Sequence, residues 1–326
     1  MNLFYKTITF LAATAIAVSC AQEIDESAES VQKRILEAYI KTNYPDAEPS
    51  ASGLYIVDSI PGTGRTPDDT SYVLVDYVIT YLDGTFSSYT SDSIAKILGT
   101  YSYSGYYEPR IWSLRNNSAG IREILTGMKE GGSVKAIIPA SLLDEESGME
   151  IIEGDGSTRI YDIYLRKVID NPDLYQIGEL EEYADTRYNG LDSTEYGFYF
   201  IKTTETNDTV SNQANVNIRY VGKFLNGTVF DTNIQDTAIK YRIYNASNGY
   251  SAASFQYFDD EEKTMEENSF IDGFNKGLYR MKYGESAVVF FYSPLGYGEN
   301  GSGDIPGYVP LCFELWIEEQ AETEQQ

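Results

Sequence analysis

The feature that most restricts the fold of this chain is a pattern that occurs twice in the same order. A helical stretch (Glu29 to Asn43; Glu179 to Tyr188) is followed by an apolar run (Gly53-Leu54-Tyr55-Ile56-Val57; Gly197-Phe198-Tyr199-Phe200-Ile201). A second run follows in each copy, Val73 to Tyr77 and Val216 to Tyr220. The turn Leu82-Asp83-Gly84-Thr85-Phe86 then aligns with Leu225-Asn226-Gly227-Thr228-Val229-Phe230 at the cost of one missing residue. Ile121 to Lys129 aligns with Phe274 to Lys282, and Arg159 to Leu165 with the last apolar run, so Tyr161 falls on Phe313. Solenoid repeats run to about 20 to 50 residues, so repetition on this longer scale points to a duplicated domain. The 326 residues also suit two domains of about 150 residues each. Asn171-Pro172-Asp173, polar and turn-prone, is the natural boundary. The expected segments are 28–170 and 171–320, with a polar tail at 321–326.

Within each copy the periodicity separates helices from strands. Val31, Ile35 and Tyr39 recur at helical spacing and the stretch stops before Pro45. In the last run Leu311, Phe313, Leu315 and Ile317 alternate with Cys312, Glu314 and Trp316, the two-residue period of a strand with one core face. Cys312 on the opposite face reads as a half-buried structural thiol.

The second copy carries a denser set of motifs: Tyr220-Val221-Gly222, Leu225-Asn226-Gly227, Val229-Phe230-Asp231, Phe270-Ile271-Asp272-Gly273-Phe274, Met281 to Glu285, Pro294-Leu295-Gly296-Tyr297-Gly298, and Ile305-Pro306 before the last strand. In this order they resemble the FKBP-type peptidyl-prolyl cis-trans isomerases. The resemblance implies an α+β fold, two FKBP-like domains each with an antiparallel sheet wrapped around a short helix. It also implies rotation of X-Pro bonds in proline-containing polypeptides. By position, Tyr220, Phe230, Phe274, Tyr297 and Phe313 would surround the prolyl ring, and Phe270 and Ile305 would close its rim. Ile271 would offer its backbone N–H to the substrate carbonyl, Asp231 stands at the family carboxylate and Tyr297 at its hydroxyl donor. Phe274 replaces the tryptophan that many members carry.

That chemistry suits the composition. Rotation about the peptide C–N bond costs about 18–20 kcal/mol because resonance is broken, and X-Pro isomers of similar energy exchange over tens of seconds or longer. A dehydrated aromatic pocket favours the twisted, less polar amide, with no nucleophile, metal or cofactor needed. The chain has no histidine and two cysteines, which removes imidazole metal ligands, triad bases and disulfide scaffolds. A net charge of −26 repels nucleic acid and anionic lipid.

Two departures stand out. Thr232 to Ser269 is longer than the family connection, studded with aromatics and the acidic run Asp259 to Glu262; it reads either as a substrate flap or as an elaborated strand with a solvated acidic turn. Arg242 is the candidate there for a carboxylate-pairing arginine. The first copy keeps Tyr77 and Phe86, but Ser87 stands at the carboxylate position and Ile121 at the aromatic floor. It reads as a non-catalytic scaffold or binding domain, and its Tyr101 to Tyr107 insert has the Tyr/Ser/Gly composition of recognition loops or is an ordinary loop.

The N-terminus gives an address. Met1 to Ser19 has one charge, Lys6, and an apolar run too short to span a bilayer, a secretory signal. Ala17-Val18-Ser19-Cys20 resembles a bacterial lipobox, in which Cys20 would be acylated; ordinary cleavage beside an incidental cysteine is the other reading. Residues 20–27 would be a tether, and loss of Lys6 with the signal moves the charge from −26 to −27. The expectation is a lipid-anchored extracytoplasmic isomerase on the outer membrane, touching the membrane through its lipid only. A binding protein or chaperone subunit on the same scaffold is the alternative.

Overall fold

The computed structural model describes residues 27–143 and 157–319. The signal, Cys20, the tether up to residue 26 and the 321–326 tail lie outside the described residues. Two units are distinguished, one ending at Pro45 and one from Asp46 onward. The smaller contains helix α1 (Ala28–Asn43), capped where the Ser27 side chain accepts from Ser30 N–H.

The larger unit holds two antiparallel sheets of six strands. The first comprises β1 (Tyr55–Ile60), β2 (Tyr72–Tyr81), β3 (Phe86–Tyr89), β4 (Arg110–Ser113), β5 (Ser133–Ile138) and β6 (Arg159–Ile169). Helix α2 (Asp92–Leu98) follows β3, and α3 (Ala119–Thr126) precedes β5. Helix α4 (Pro172–Tyr188) leads into the second sheet: β7 (Phe198–Thr204), β8 (Asn215–Phe224), β9 (Val229–Thr232), β10 (Ala253–Gln256), β11 (Ser286–Phe291) and β12 (Leu311–Ile317). Its helices are α5 (Gln235–Lys240), α6 (Glu261–Glu267) and α7 (Asp272–Tyr279).

The strand orders are β1-β5-β6-β2-β3 with β4 on β2, and β7-β11-β12-β8-β10 with β9 on β8. Taking the strands of each half in chain order, the two central paths agree, and both remaining short strands of each half pair with its second strand. The chain is therefore α+β with the duplication expected. Each core helix lies against its sheet through a glycine. A Cβ on Gly120 would meet Ile138 at 2.5 Å, and one on Gly273 would meet Phe291 at 2.4 Å.

The Asn-Pro boundary is a helix start rather than a loose linker. The Asn171 side chain accepts from the N–H groups of Asp173 and Leu174 with proline in the first turn, where its missing N–H costs nothing. This helix changes the fate of Cys312. Leu180 and Ala184 of α4 join Tyr199, Phe290 and Cys312 in a second apolar layer behind the sheet, so Cys312 is buried, not half-buried. Burial pushes its thiol up to about 11, which leaves it unreactive. The other face of β12 follows the alternation, with Leu311, Phe313, Leu315 and Ile317 all in the main core.

Candidate active site

The register of the second sheet brings the predicted residues together. Phe313 on β12 lies opposite Gly222 on β8, and Leu315 opposite Tyr220. Gly222 in turn lies opposite Asp231 on β9. Phe230 and Phe313 close over Gly222, where a Cβ would sit 2.7 Å from the Phe230 ring and 2.9 Å from Phe313. Glycine in a strand here serves close approach, not flexibility.

Around that point the rings meet mostly edge to face. Phe230 and Phe313 have centroids 5.7 Å apart at 88°, Phe274 and Phe313 5.1 Å at 90°, and Tyr220 and Phe274 5.5 Å at 84°. These geometries set positive ring edges on negative faces. Phe270 stacks on Phe274 at 4.8 Å. Phe274 and Phe313 are buried, while Tyr220, Phe230, Phe270, Ile271, Tyr297 and Ile305 are half-buried against the same cluster. An aromatic floor with a partly open rim results.

Polar groups stand at its edge. The Tyr220 hydroxyl donates to Asp231 Oδ2 at 2.7 Å, and Thr232 N–H donates to Asp231 Oδ1 at 2.8 Å. Burial, then the Asp231 charge, raises the Tyr220 pKa, so its hydroxyl remains a donor. The Tyr297 pKa is raised by burial and by Asp231 as well. Among the hydrogen bonds of the described residues, none engages the Tyr297 hydroxyl or the Ile271 N–H. Both are available to a ligand.

Ile271 caps α7, its carbonyl accepting from Phe274 and Asn275 N–H at 3.0 Å each. Two positioning residues escaped sequence analysis. Asn275, fully buried, donates through Nδ2 to the Phe270 carbonyl at 3.0 Å and the Asn268 carbonyl at 3.3 Å, fixing the segment that presents Ile271. Asn233 accepts from Tyr220 N–H at 2.9 Å and donates to the Ile218 carbonyl at 2.9 Å. An asparagine within a helix or after a short strand carries no periodic signal that could have marked either.

The Thr232 to Ser269 insert is built into the sheet. Its β10 pairs with β8, Phe255 and Phe258 are buried, and Asp260 caps α6 by accepting from Lys263 N–H. Glu261 is paired with Lys276 of α7 and with Arg280 just after it, which also bind Glu195. The acidic run is therefore partly engaged in ion pairs rather than simply solvated. Arg242 does not reach Asp231. It donates to the Tyr103 hydroxyl at 2.7 Å and lies over that ring.

Tyr103 belongs to the first half, and with it the Tyr101 to Tyr107 insert becomes a clasp. Tyr106 packs edge to face on Phe224 at 4.8 Å, and nearby Glu108 accepts from Asn226 at 3.0 Å. Tyr101 stacks on Tyr107 within the loop. The adaptable composition is spent on contact with the second half.

The first half has the same frame with a different lining: Tyr77, Ile79, Ser88, Trp112, Ile121 and Tyr161 border a cavity of about 570 Å³. Ile79 lies opposite both Tyr161 and Ser88, as Gly222 lies opposite Phe313 and Asp231. The hairpins therefore align without a gap, correcting the sequence alignment: Ser88 stands at the carboxylate position, Ser87 at that of Phe230, and Phe86 at that of Val229. Phe86 is 38% exposed and lines nothing comparable. Ser88 Oγ reaches the Tyr77 hydroxyl at 3.4 Å, a weak counterpart of the Tyr220–Asp231 bond.

Comparison with known proteins agrees with this geometry. Residues 206–318 match the profile of the FKBP-type peptidyl-prolyl cis-trans isomerases. The chain is 26% identical over 264 residues to peptidyl-prolyl cis-trans isomerase FKBP9 of Rattus norvegicus, covering 80% of this chain but only 36% of that protein. It is 24% identical over 254 residues to the isomerase FkpA of Buchnera aphidicola, covering 76% and 86% respectively. A solved structure of FkpA from Escherichia coli is similar at 25% identity and a TM-score of 0.34, over 52% of this chain and 74% of that one. The segment that carries the aromatic cluster, the Tyr220–Asp231 pair and the free Ile271 N–H belongs to the FKBP-type peptidyl-prolyl cis-trans isomerase family.

Proposed function

We propose that this protein is a peptidyl-prolyl cis-trans isomerase whose active site lies in segment 171–320, and that segment 28–170 is a non-catalytic FKBP-like domain. The observation that carries the reading is the closure of Phe230 and Phe313 over Gly222 beside the Tyr220–Asp231 bond. A prolyl ring seated on Phe274 and Phe313 would leave water, and its amide would follow into a low-dielectric site. There the planar amide, with its larger charge separation, loses more than the twisted form does. Ile271 N–H would hold the carbonyl on the substrate's N-terminal side, and the Tyr297 hydroxyl a second acceptor. Asp231 orients Tyr220 and keeps a negative charge at the rim. Bonds that tighten only on the twisted amide lower the barrier without binding the ground state equally. An exchange assay on an X-Pro peptide tests this. The full chain should accelerate isomerisation, and the uncatalysed rate alone would remove the enzyme reading.

A second reading is supported by the first half, which has the frame without the carboxylate or the aromatic floor. In it the protein binds polypeptides as a chaperone or surface subunit without turnover. Pull-down by the full chain, with isomerisation absent, would favour it.

The address is also proposed. Acylation of Cys20 would anchor the protein to the outer membrane, on its periplasmic or cell-surface face, and each buried CH2 contributes about 0.8 kcal/mol to the anchor. A Cys20→Ser variant should leave the detergent phase. Retention there would sink the lipobox reading.

A further inference from the structure

Tyr297 and Ile305 lie on one loop, which leaves β11 through a short turn at Ser293–Leu295 and returns at Leu311. The loop closes on itself. Gly301 N–H donates to the Tyr297 carbonyl, Ser302 and Ile305 bridge each other, and Tyr308 N–H donates to the Gly298 carbonyl at 2.9 Å. A Cβ on Gly307 would meet the Glu299 carbonyl at 1.8 Å. So tight a loop moves as a piece.

Its inner side carries the rim residues of the active site, and its outer side faces the first sheet across open space. A cavity of about 570 Å³ separates Glu299, Asn300, Asp304 and Pro306 from Tyr77, Trp112 and Ile121. Two further cavities, about 360 and 410 Å³, flank it. Tyr308 lines all three and stands between them. Its ring packs edge to face on Tyr72 with centroids 5.7 Å apart, and its hydroxyl donates to Glu299 at 3.1 Å.

The backbone there is unusual. Tyr308 has φ of 60°, a left-handed conformation that is costly for a bulky side chain and persists where surroundings enforce it. Tyr72 is the fixed end of the contact. It sits on the central strand of the first sheet, paired with Ser113 on one side and Ile169 on the other.

We infer that Tyr72 is a positioning residue for the active site of the second half: through Tyr308 it braces the loop that presents Tyr297 and Ile305 to the substrate. The inference rests on the isomerase reading for its consequence but not for its geometry. Between these cavities the outer face of the loop meets the first sheet at the Tyr72–Tyr308 contact. Removing the Tyr72 ring lets the rim move outward, and substrate binding weakens more than turnover does.

The test uses the full chain with labelled isoleucine methyl groups. In Tyr72→Ala the Ile305 methyl signals should shift or broaden while those of Ile218 and Ile271 stay put; Tyr72→Phe should restore them. KM for an X-Pro peptide should rise about three- to tenfold in Tyr72→Ala with kcat within twofold, and return in Tyr72→Phe. Should Tyr72→Ala not fold, Tyr72→Leu keeps bulk in the strand without the ring edge and is read in the same way. Unmoved Ile305 signals in the folded ring-less variant overturn the brace. An inactive wild type with the Ile305 shift present removes the isomerase reading and leaves the brace standing.

Discussion

The two halves of this protein share a sheet topology and differ in what lines the same point of the frame. In the second, Gly222 lets Phe230 and Phe313 approach the strand backbone, with Asp231 directly across the ladder. In the first, Ile79 occupies the equivalent position, Ser88 faces it, and Ile121 replaces Phe274 on the core helix. Ile79 and Ile121 are themselves buried, and both border the cavity of the first half. An isoleucine offers a prolyl ring neither a flat aromatic face nor a carboxylate neighbour. A duplicated frame therefore diverged through side-chain volume at a handful of positions, while glycines that seat the helices, Gly120 and Gly273, serve both halves alike.

The sharpest way to break the comparison is to exchange its central residue. Gly222→Ile should bring isomerisation down to the uncatalysed rate, because the added carbons occupy the space of Phe230 and Phe313. Overpacking of this kind costs about 1–3 kcal/mol, so circular dichroism must first show the variant folded. If it retains activity, the pocket lies elsewhere. Ile79→Gly in the first half should leave catalysis unchanged in the same assay.

Next in size is a charge that the second half alone carries. Glu285 is 1% exposed and pairs with Lys202 at 3.0 Å, while the first half has Gly132 at the matching place after its core helix. Burial raises the Glu285 carboxyl, but Lys202 and the N–H groups of Lys282 and Thr206 more than offset this and hold it low. Its contribution is thus present above the ordinary carboxylate range and is lost as pH falls through the lowered folded value. Glu285→Ala should cost about 3 kcal/mol, since Lys202 loses its partner. Denaturant unfolding near pH 7 measures it, and a loss well below about 1 kcal/mol would mean that Lys202 simply turns to solvent.

The hydroxyl pair gives a smaller and more specific contrast. Tyr220→Phe keeps the ring and removes the bond to Asp231. We expect about a tenfold loss in kcat/KM, equivalent to about 1.4 kcal/mol. Tyr77→Phe, the same change in the first half, should be silent. Equal effects of the two would argue for a structural role of both.

A further contrast lies where the halves meet. Burial pushes Glu179 on α4 up to about 7, aided by Glu182 and Glu108, with Tyr175 and Lys167 opposing. The unfolded chain releases this proton near 4.5, whereas the folded chain holds it to about 7. Stability should therefore fall as pH rises between those values and level off above. Melting curves across pH 4.5–7.5 should show that slope reduced in Glu179→Gln; an unchanged slope would assign it to other groups.

Much of this was legible in the chain. Alternation placed Leu311, Phe313, Leu315 and Ile317 on one core face, and the motif order drew together Tyr220, Phe230, Asp231, Phe270, Ile271, Phe274, Tyr297, Ile305 and Phe313. Local patterns suffice there because strand period and turn chemistry are properties of neighbouring residues. The hairpin gap was misread because Phe86 looks like Phe230, and only the ladder register shows that it pairs like Val229. Arg242 was a candidate for the carboxylate-pairing arginine by its place in the insert, yet its left-handed backbone and the nearness of Tyr103 direct it to the first half.

By itself the sequence determined the duplication and the two sheets, because repeated periodicity dictates which faces must leave water; the residues of the aromatic cluster followed from the resemblance of the motif order to the family. Tertiary structure decided the rest: that α4 buries Cys312 from behind, that the insert is a paired strand and an ion-paired helix, and that Tyr72 and the Tyr101–Tyr107 loop reach the second half. Those outcomes depend on which surfaces meet, from 15 residues apart for Glu261 and Lys276 to more than a hundred for Cys312 and Tyr183. No local period records such a meeting, since it is fixed by packing and the shared exclusion of water.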